Sequence, residues 1–138
     1  MILNKENNLY SKSFNFAVRI IKLYTWITES KKEFILSKQF LRSGTSIGAN
    51  IAEANGAISS ADFSSKISIS YKESLETKYW LALMKETKFI DEKLYGSLFR
   101  DADELSKILF AILKKTRIQN NQHNLPEKLL HKDPSGIL

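Results

Sequence analysis

The sequence predicts an all-α protein, an antiparallel up-down-up-down four-helix bundle, from three observations. Residues 10–119 contain no proline. Apolar residues recur at three-to-four spacing in four separate stretches, and strand-like alternation is absent. Helix-start signals divide these stretches at brief intervals near residues 29–31, 57–59 and 89–91. Connections that short cannot return the chain along the length of a bundle, so each helix should lie against the one before it. A chain of 138 residues fits one domain and can close a core without staples. The expected division is a bundle over residues 1–119 and a mobile tail over 120–138.

Helix 1 is expected over about 9–28. Phe14, Ala17, Val18, Ile21 and Tyr24 keep the helical rhythm, and Phe16, Ile20, Leu23 and Ile27 widen the stripe past half the circumference. A surface helix of a monomer usually has a narrower apolar face, so the excess suggests a second contact, with another subunit. Ser30 and Glu33 fit a capping box, which starts helix 2 near Lys31 and carries it to Gly56. Its core face is Leu36, Phe40, Ile47, Ile51 and Ala54. Gly44, Gly48, Ala52 and Gly56 recur at four-residue steps, a ridge against which a neighbouring helix can pack closely.

Ser59 with Asp62 gives a second capping signal, for helix 3 over about 60–88. This helix has no clean polar face. Ile67, Tyr71, Leu75 and Ala82 lie on one side and Ile69, Trp80 and Leu83 on another, as in a helix contacted from several directions. Asp91 is the expected N-cap of helix 4, over about 91–118. Its near-heptad seam of Leu94, Leu98, Ala102, Leu105, Leu109 and Ile112 suits left-handed bundle packing. Asn120, Asn121, Gln122 and Asn124 are expected to end the regular pattern, with room for a short helical turn after Pro126.

The net charge is +6 and unevenly spread: +5 over residues 1–42, −3 over 43–106 and +4 over 107–138. A basic surplus permits an anionic partner. Lys12, Arg19, Lys22 and Trp26 share the polar side of helix 1, a basic face with an aromatic, as single-stranded nucleic acid binding uses. Arg100, Lys107 and Lys114 follow at seven-residue steps on helix 4, then Lys115 and Arg117. An up-down topology places the end of helix 4 near the start of helix 1, so the two basic segments are expected to merge into one patch.

Several chemistries are excluded by what is missing. The chain has no cysteine, and its two histidines, His123 and His131, lie in the tail, so neither thiolate metal sites nor a di-iron Glu-x-x-His bundle can form. No glycine-rich phosphate loop or nucleophile elbow is present. The reading is therefore non-enzymatic, with no catalytic residue, metal or cofactor. Glu73 and Glu76 pair on one face of helix 3, as acid–base carboxylates can. The expected role is instead an interhelical polar network with Arg42, Ser46, Asn50 and Glu53, with Arg19 as a further partner, because a part-buried carboxylate needs such company. Apolar runs are far shorter than the ~18–20 residues a membrane span requires, and the N-terminus lacks a signal-peptide apolar core. A cytoplasmic location is expected.

Residues 39–56 read QFLRSGTSIGANIAEANG and residues 61–84 read ADFSSKISISYKESLETKYWLALM. In the order and spacing of Arg42-Ser43, Ser46-Ile47-Gly48, Asn50-Ile51, Glu53-Ala54, Asp62-Phe63, Glu73, Glu76-Thr77 and Tyr79-Trp80-Leu81, the chain resembles the four-helix bundle family of proteins encoded in intervening sequences of bacterial 23S rRNA genes. The resemblance covers helices 1–4, less closely at helices 1 and 4, and excludes the tail. It implies a ring-like homo-oligomer, a pentamer, of a family without established enzymatic activity. It also implies an architecture shared with the accessory variability protein of diversity-generating retroelements, which works with a reverse transcriptase and nucleic acid. The expected function is a homo-oligomeric bundle that binds RNA or DNA through its basic surface, within a ribonucleoprotein or reverse-transcriptase complex. The alternative is a protein-interaction scaffold with no nucleic-acid role.

Overall fold

The structure is a computed structural model that describes the backbone of residues 2–124 and the side chains of residues 8–116. Four helices, α1 (Ile2–Trp26), α2 (Leu36–Asn55), α3 (Ser60–Glu86) and α4 (Glu92–Asn124), make up nearly all of it, and no strand occurs among the described residues. α1 packs on α2, α2 on α3, α3 on α4 and α4 on α1, which gives a four-sided bundle. Positions in contact rise along one helix as they fall along the next. Ser13 meets Gly48 while Ile20 meets Gly44, and Glu53 reaches Lys66 while Ser43 reaches Thr77.

Helix boundaries differ from the sequence reading in three places. α1 begins at Ile2 rather than near Leu9 and ends in a π-helical turn, Ile27–Lys31, closed by Lys32 in the left-handed region at φ 55°. Ser30 lies inside that turn, so the Ser30–Glu33 capping box does not form and α2 starts at Leu36 instead of Lys31. Glu33 alone does the capping. Its Oε2 accepts from the N–H groups of Ile35 (3.0 Å) and Leu36 (2.9 Å), and its Oε1 from that of Ser37 (2.8 Å). At its other end, α4 runs to Asn124 rather than stopping near Ile118. Asparagine and glutamine cost a helix only tenths of a kcal/mol each, so an amide-rich run does not break one. Pro126 disfavours helix at the residue before it, and the described part of α4 ends one residue earlier still. The remainder of the expected tail, with the turn after Pro126, lies outside the described residues.

The other starts form as read. Ser59 Oγ accepts from Asp62 N–H at 3.0 Å. Asp91 Oδ1 accepts from Leu94 N–H at 2.8 Å.

The core is built from Phe16, Ile20, Leu23 and Ile27 of α1, Phe40, Ile47 and Ile51 of α2, Ile67, Leu81 and Met84 of α3, and Leu98, Leu105 and Leu109 of α4. On α1 this reverses the expected emphasis. The widening stripe faces inward, and Phe14, Val18 and Ile21 face out. Two apolar stripes of equal period are equivalent to a periodicity argument; the partner decides between them. That partner is the glycine ridge of α2. A Cβ on Gly44 would stand 2.9 Å from Ile20 Cγ1, and one on Gly48 would stand 3.2 Å from Ser13 Oγ. Ala52 is exposed beside the same seam, while Gly56 follows the last residue of α2 and meets only the Glu53 carbonyl of that helix.

Between Ile67 and Leu81 the inward stripe of α3 is made of hydroxyls. Ser70 Oγ donates to the Ile47 carbonyl at 2.8 Å, Thr77 and Ser43 hydroxyls stand 2.9 Å apart, and Ser74 and Ser106 hydroxyls 2.7 Å apart. Small polar side chains that satisfy one another allow close helix approach at little desolvation cost. Of the apolar residues expected to pack, Ile69 and Leu75 are instead exposed.

Two outcomes follow for stability. Gly44→Ala gains ~1 kcal/mol of helix propensity but overpacks Ile20, a cost of ~1–3 kcal/mol, so urea melts should show net destabilisation. Gly96→Ala, with nothing within 4 Å of the added carbon, should stabilise by ~0.5–1 kcal/mol. Partial desolvation pulls the Glu33 carboxyl upward, but the backbone N–H groups of Leu36, Ser37 and Ile35 together outweigh it and hold the carboxyl below its ordinary value. A depressed folded-state value makes the stabilisation full above the unfolded-chain value of ~4.3 and loses it as pH falls through the folded one. Glu33→Ala should therefore cost about 1 kcal/mol at pH 7, with the gap to the parent closing below about pH 4.

Candidate nucleic-acid interface

Lys12, Arg19, Lys22 and Trp26 lie on the side of the bundle where α1 meets α4, and ion pairs stitch that seam. Lys12 Nζ reaches Glu104 Oε2 at 3.0 Å. Arg19 donates to Asp101 Oδ2 at 2.6 Å and to Ser97 Oγ at 2.9 Å. Both cations are therefore committed to holding α1 against α4. Lys107 pairs with Asp103, one turn back on its own helix, at 3.0 Å, and Lys78 of α3 reaches the other oxygen of that carboxylate, also at 3.0 Å. Hydrogen bonds from Lys78 and Lys107 hold the Asp103 carboxyl below its ordinary value.

Lys22, Arg100, Lys114 and Lys115 are exposed and take part in no ion pair among the described residues. The side chain of Arg117 lies outside the described residues. The expected single patch does not assemble. Lys12 stands level with Glu104, so Lys22 lies ten residues along α1 in one direction and Lys114 ten residues along α4 in the other. At 1.5 Å per residue these groups are roughly 30 Å apart along the bundle. They are spread along the length of the bundle, not clustered at one end.

Trp26 closes the stripe at the bundle end. Its ring is 43% exposed, and Lys31 Nζ sits 5.5 Å from its centroid. It separates a groove lined by Arg19, Lys22, Leu94 and Leu98 from an open cavity of about 550 Å³ whose walls include Lys85, Lys88 and Phe89. Lys31, Lys85 and Lys88 were not legible as site residues in the sequence, because the α1–α2 turn and the end of α3 with its following loop bring them to Trp26 from distant parts of the chain. Glu86, Asp91 and Glu92 line the same cavity and offset their charge.

The opposite side, between α2 and α3, holds the polar network. Arg42 Nη1 donates to Glu73 Oε2 at 3.0 Å, and Nη2 to Glu76 Oε2. Trp80 Nε1 donates to the same Glu76 oxygen at 2.8 Å. Ser46 and Asn50 bond backward within α2, to the carbonyls of Arg42 and Ser46, and Glu53 pairs with Lys66 of α3 at 3.2 Å. Each carboxylate has a cation, so the pair has the company of a structural bridge between helices. Among the described residues no group of three or more His, Cys, Asp or Glu could hold a metal ion, and no helix is long and apolar enough to cross a membrane. Arg42→Ala and Glu76→Ala should each lower stability by about 1 kcal/mol, as a half-exposed charged hydrogen bond does. The double variant should fall short of the sum by at least ~0.5 kcal/mol in chemical denaturation.

Residues 5–111 match the family model described as 23S rRNA-intervening sequence protein. Among solved structures, the chain is similar to a protein of unknown function from the S23 ribosomal protein family of Bacteroides thetaiotaomicron VPI-5482. The two share 50% identity at a TM-score of 0.78, over 80% of this chain and 98% of that one. No curated protein matches. The family match runs from the first turns of α1 through the buried seam of α4, and so takes in the glycine ridge, the hydroxyl stripe and the Arg42 bridge: the chain belongs to the 23S rRNA-intervening sequence protein family.

Proposed function

We propose that the chain is a non-enzymatic, homo-oligomeric nucleic-acid-binding protein of the cytoplasm, an antiparallel bundle that assembles into a ring of five and presents its α1/α4 side to single-stranded RNA or DNA. The observation that carries the binding role is the stripe itself. Lys22, Arg100, Lys114 and Lys115 are exposed along the length of α1 and α4, and the half-exposed Trp26 stands at one end. Exposed cations spaced along an elongated side suit a strand's phosphates, and an aromatic face suits an unpaired base. Membership of a family named for rRNA intervening sequences supports RNA as the first nucleic acid to test. A reverse transcriptase or another ribonucleoprotein component would be the protein partner of such an assembly. The antiparallel arrangement is supported by the reversed order of contacts between successive helices.

The oligomer is supported by the apolar residues that α1 leaves outside. Tyr10, Phe14, Val18 and Ile21 line one exposed strip, more than a monomer's helix needs.

The test is binding of labelled single-stranded RNA and DNA across a salt series, with oligomer mass measured in the same buffer. The logarithm of affinity should fall linearly with the logarithm of salt. The combined variant Lys22→Glu, Lys114→Glu and Lys115→Glu should flatten that slope by about 2, for three single-strand phosphate contacts. An unchanged slope and affinity would remove these residues from the interface. Absence of binding at low salt by the intact oligomer would favour the scaffold reading, in which a protein partner docks on the same assembly.

A further inference from the structure

The open cavity beside Trp26 serves neither the core nor the cations exposed along α1 and α4. Its volume of about 550 Å³ lies within the range of small-ligand sites, roughly 300–1,000 Å³. Two turns of backbone build its walls. The π-helical turn Ile27–Lys31 folds over the end of α1 and leaves Lys31 Nζ 5.5 Å from the centre of the Trp26 ring. The end of α3 closes with the paired bonds of a Schellman motif. Lys88 N–H donates to the Lys85 carbonyl at 3.0 Å, and Phe89 N–H to the Met84 carbonyl at 2.9 Å. Buried Ile90 then anchors the loop in the core. Walls fixed in this way are in place before a ligand arrives, which lowers the ordering cost of binding.

Lys88 occupies the one position of that motif that takes a left-handed backbone, at φ 67°. Glycine is the usual residue there, because a Cβ is strained in that region. A lysine instead puts an amine in the cavity wall at some expense to the fold, and backbone outliers of this kind point to function. Among the described residues Lys31 and Lys88 take part in no ion pair, while Lys85 is held by Glu86 at 3.7 Å and by the Tyr95 ring at 4.7 Å. Carboxylates share the lining. Glu86 faces Lys85 and Asp91 caps the Leu94 N–H, which leaves Glu92. A bare anion suits such a wall poorly, because the carboxylates repel it. A ligand with a flat ring, hydroxyl donors and a phosphate meets every part of it. The ring stacks on the indole, the phosphate takes the two unpaired amines, and the hydroxyls donate to Glu92.

We infer that this cavity is a binding site for a nucleoside 5′-phosphate, free or at the end of a single strand, with Lys31 and Lys88 on the phosphate and Trp26 against the base. The site uses none of Lys22, Arg100, Lys114 and Lys115. It therefore stands apart from the strand-binding reading, and either can fail while the other holds.

The test is calorimetric titration of the full chain with adenosine 5′-monophosphate at low salt, followed in parallel by quenching of tryptophan fluorescence. Binding should saturate. Adenosine and inorganic phosphate, titrated separately, should each bind at least ~10-fold more weakly, since each lacks either the charge-assisted contacts or the stacked ring. Lys88→Gly removes the amine and relieves the backbone, so it should fold as well as the parent yet bind the nucleotide about 10-fold more weakly. Lys31→Gln should act alike. Lys32→Gly is the matched control. Lys32 also has a left-handed backbone, at φ 55°, but does not line the cavity, so an equal loss of charge there should leave affinity unchanged. A parent that binds no nucleotide overturns the site. So does phosphate that binds as tightly as the nucleotide, and so do Lys88→Gly and Lys31→Gln proteins that keep the parent's affinity or lose no more than Lys32→Gly does. Displacement of the nucleotide by a 5′-phosphorylated trinucleotide, and not by its 5′-hydroxyl form, upholds the site and assigns it to strand ends. Displacement by neither upholds it for free nucleotides, and displacement by both equally overturns the requirement for a 5′-phosphate and the proposal with it.

Discussion

The bundle depends on how closely α2 and α3 let their neighbours approach. Where larger side chains would hold helices apart, Gly44 and Gly48 admit Ile20 and Ser13 of α1. The hydroxyls of Ser70, Ser74 and Thr77 meet Ile47, Ser106 and Ser43 across the other two seams. Such contacts act at hydrogen-bond length, so they fix register as well as distance. A helix slipped by one turn would take the Ser70 hydroxyl from the Ile47 carbonyl, its acceptor across the seam, at ~1–3 kcal/mol for a buried group left unpaired. Aliphatic packing tolerates repacking far better. The apolar core supplies the bulk of the stability, and the small-residue seams supply its geometry.

That geometry sorts the four sides of the bundle by chemistry. The α2/α3 side is closed by the Arg42, Glu73, Glu76 and Trp80 network, and the α1/α4 side by long ion pairs from Lys12 and Arg19. The α1/α2 side carries Tyr10, Phe14 and Ile21 exposed. On the α3/α4 side Leu75 and Phe110 are exposed beside a further charged bridge, from Lys78 of α3 to Asp103 of α4. Arg19 illustrates the division. In sequence it belongs to a basic face; in the fold both of its guanidinium arms are spent on Asp101 and Ser97.

The capping of α2 shows how a local signal can be right in chemistry and wrong in place. Glu33 does satisfy free N–H groups, as an acidic residue at a helix start should. It does so as the capping acceptor itself, three residues ahead of Leu36, because the π-helical turn at Ile27–Lys31 has absorbed Ser30. The start of α3 had no competing turn, and Ser59 caps where its spacing says.

By itself the sequence determined that the chain is helical, where α3 and α4 begin, that the inner seam of α4 is aliphatic, and, through the motif over residues 39–84, the family. Proline content, capping chemistry and a single apolar stripe are local properties, and local properties survive into the fold. Tertiary structure decided the rest. It chose which of two stripes on α1 faces inward, because only the glycine ridge of α2 distinguishes Ile20 from Val18. It buried Ser70, Ser74 and Thr77 of α3 between Ile67 and Leu81, because a hydroxyl can be buried once a neighbouring oxygen accepts its hydrogen bond. It drew the basic residues out into a stripe about 30 Å long in place of a patch, since the rise of 1.5 Å per residue separates positions whose helical ends are neighbours only in topology.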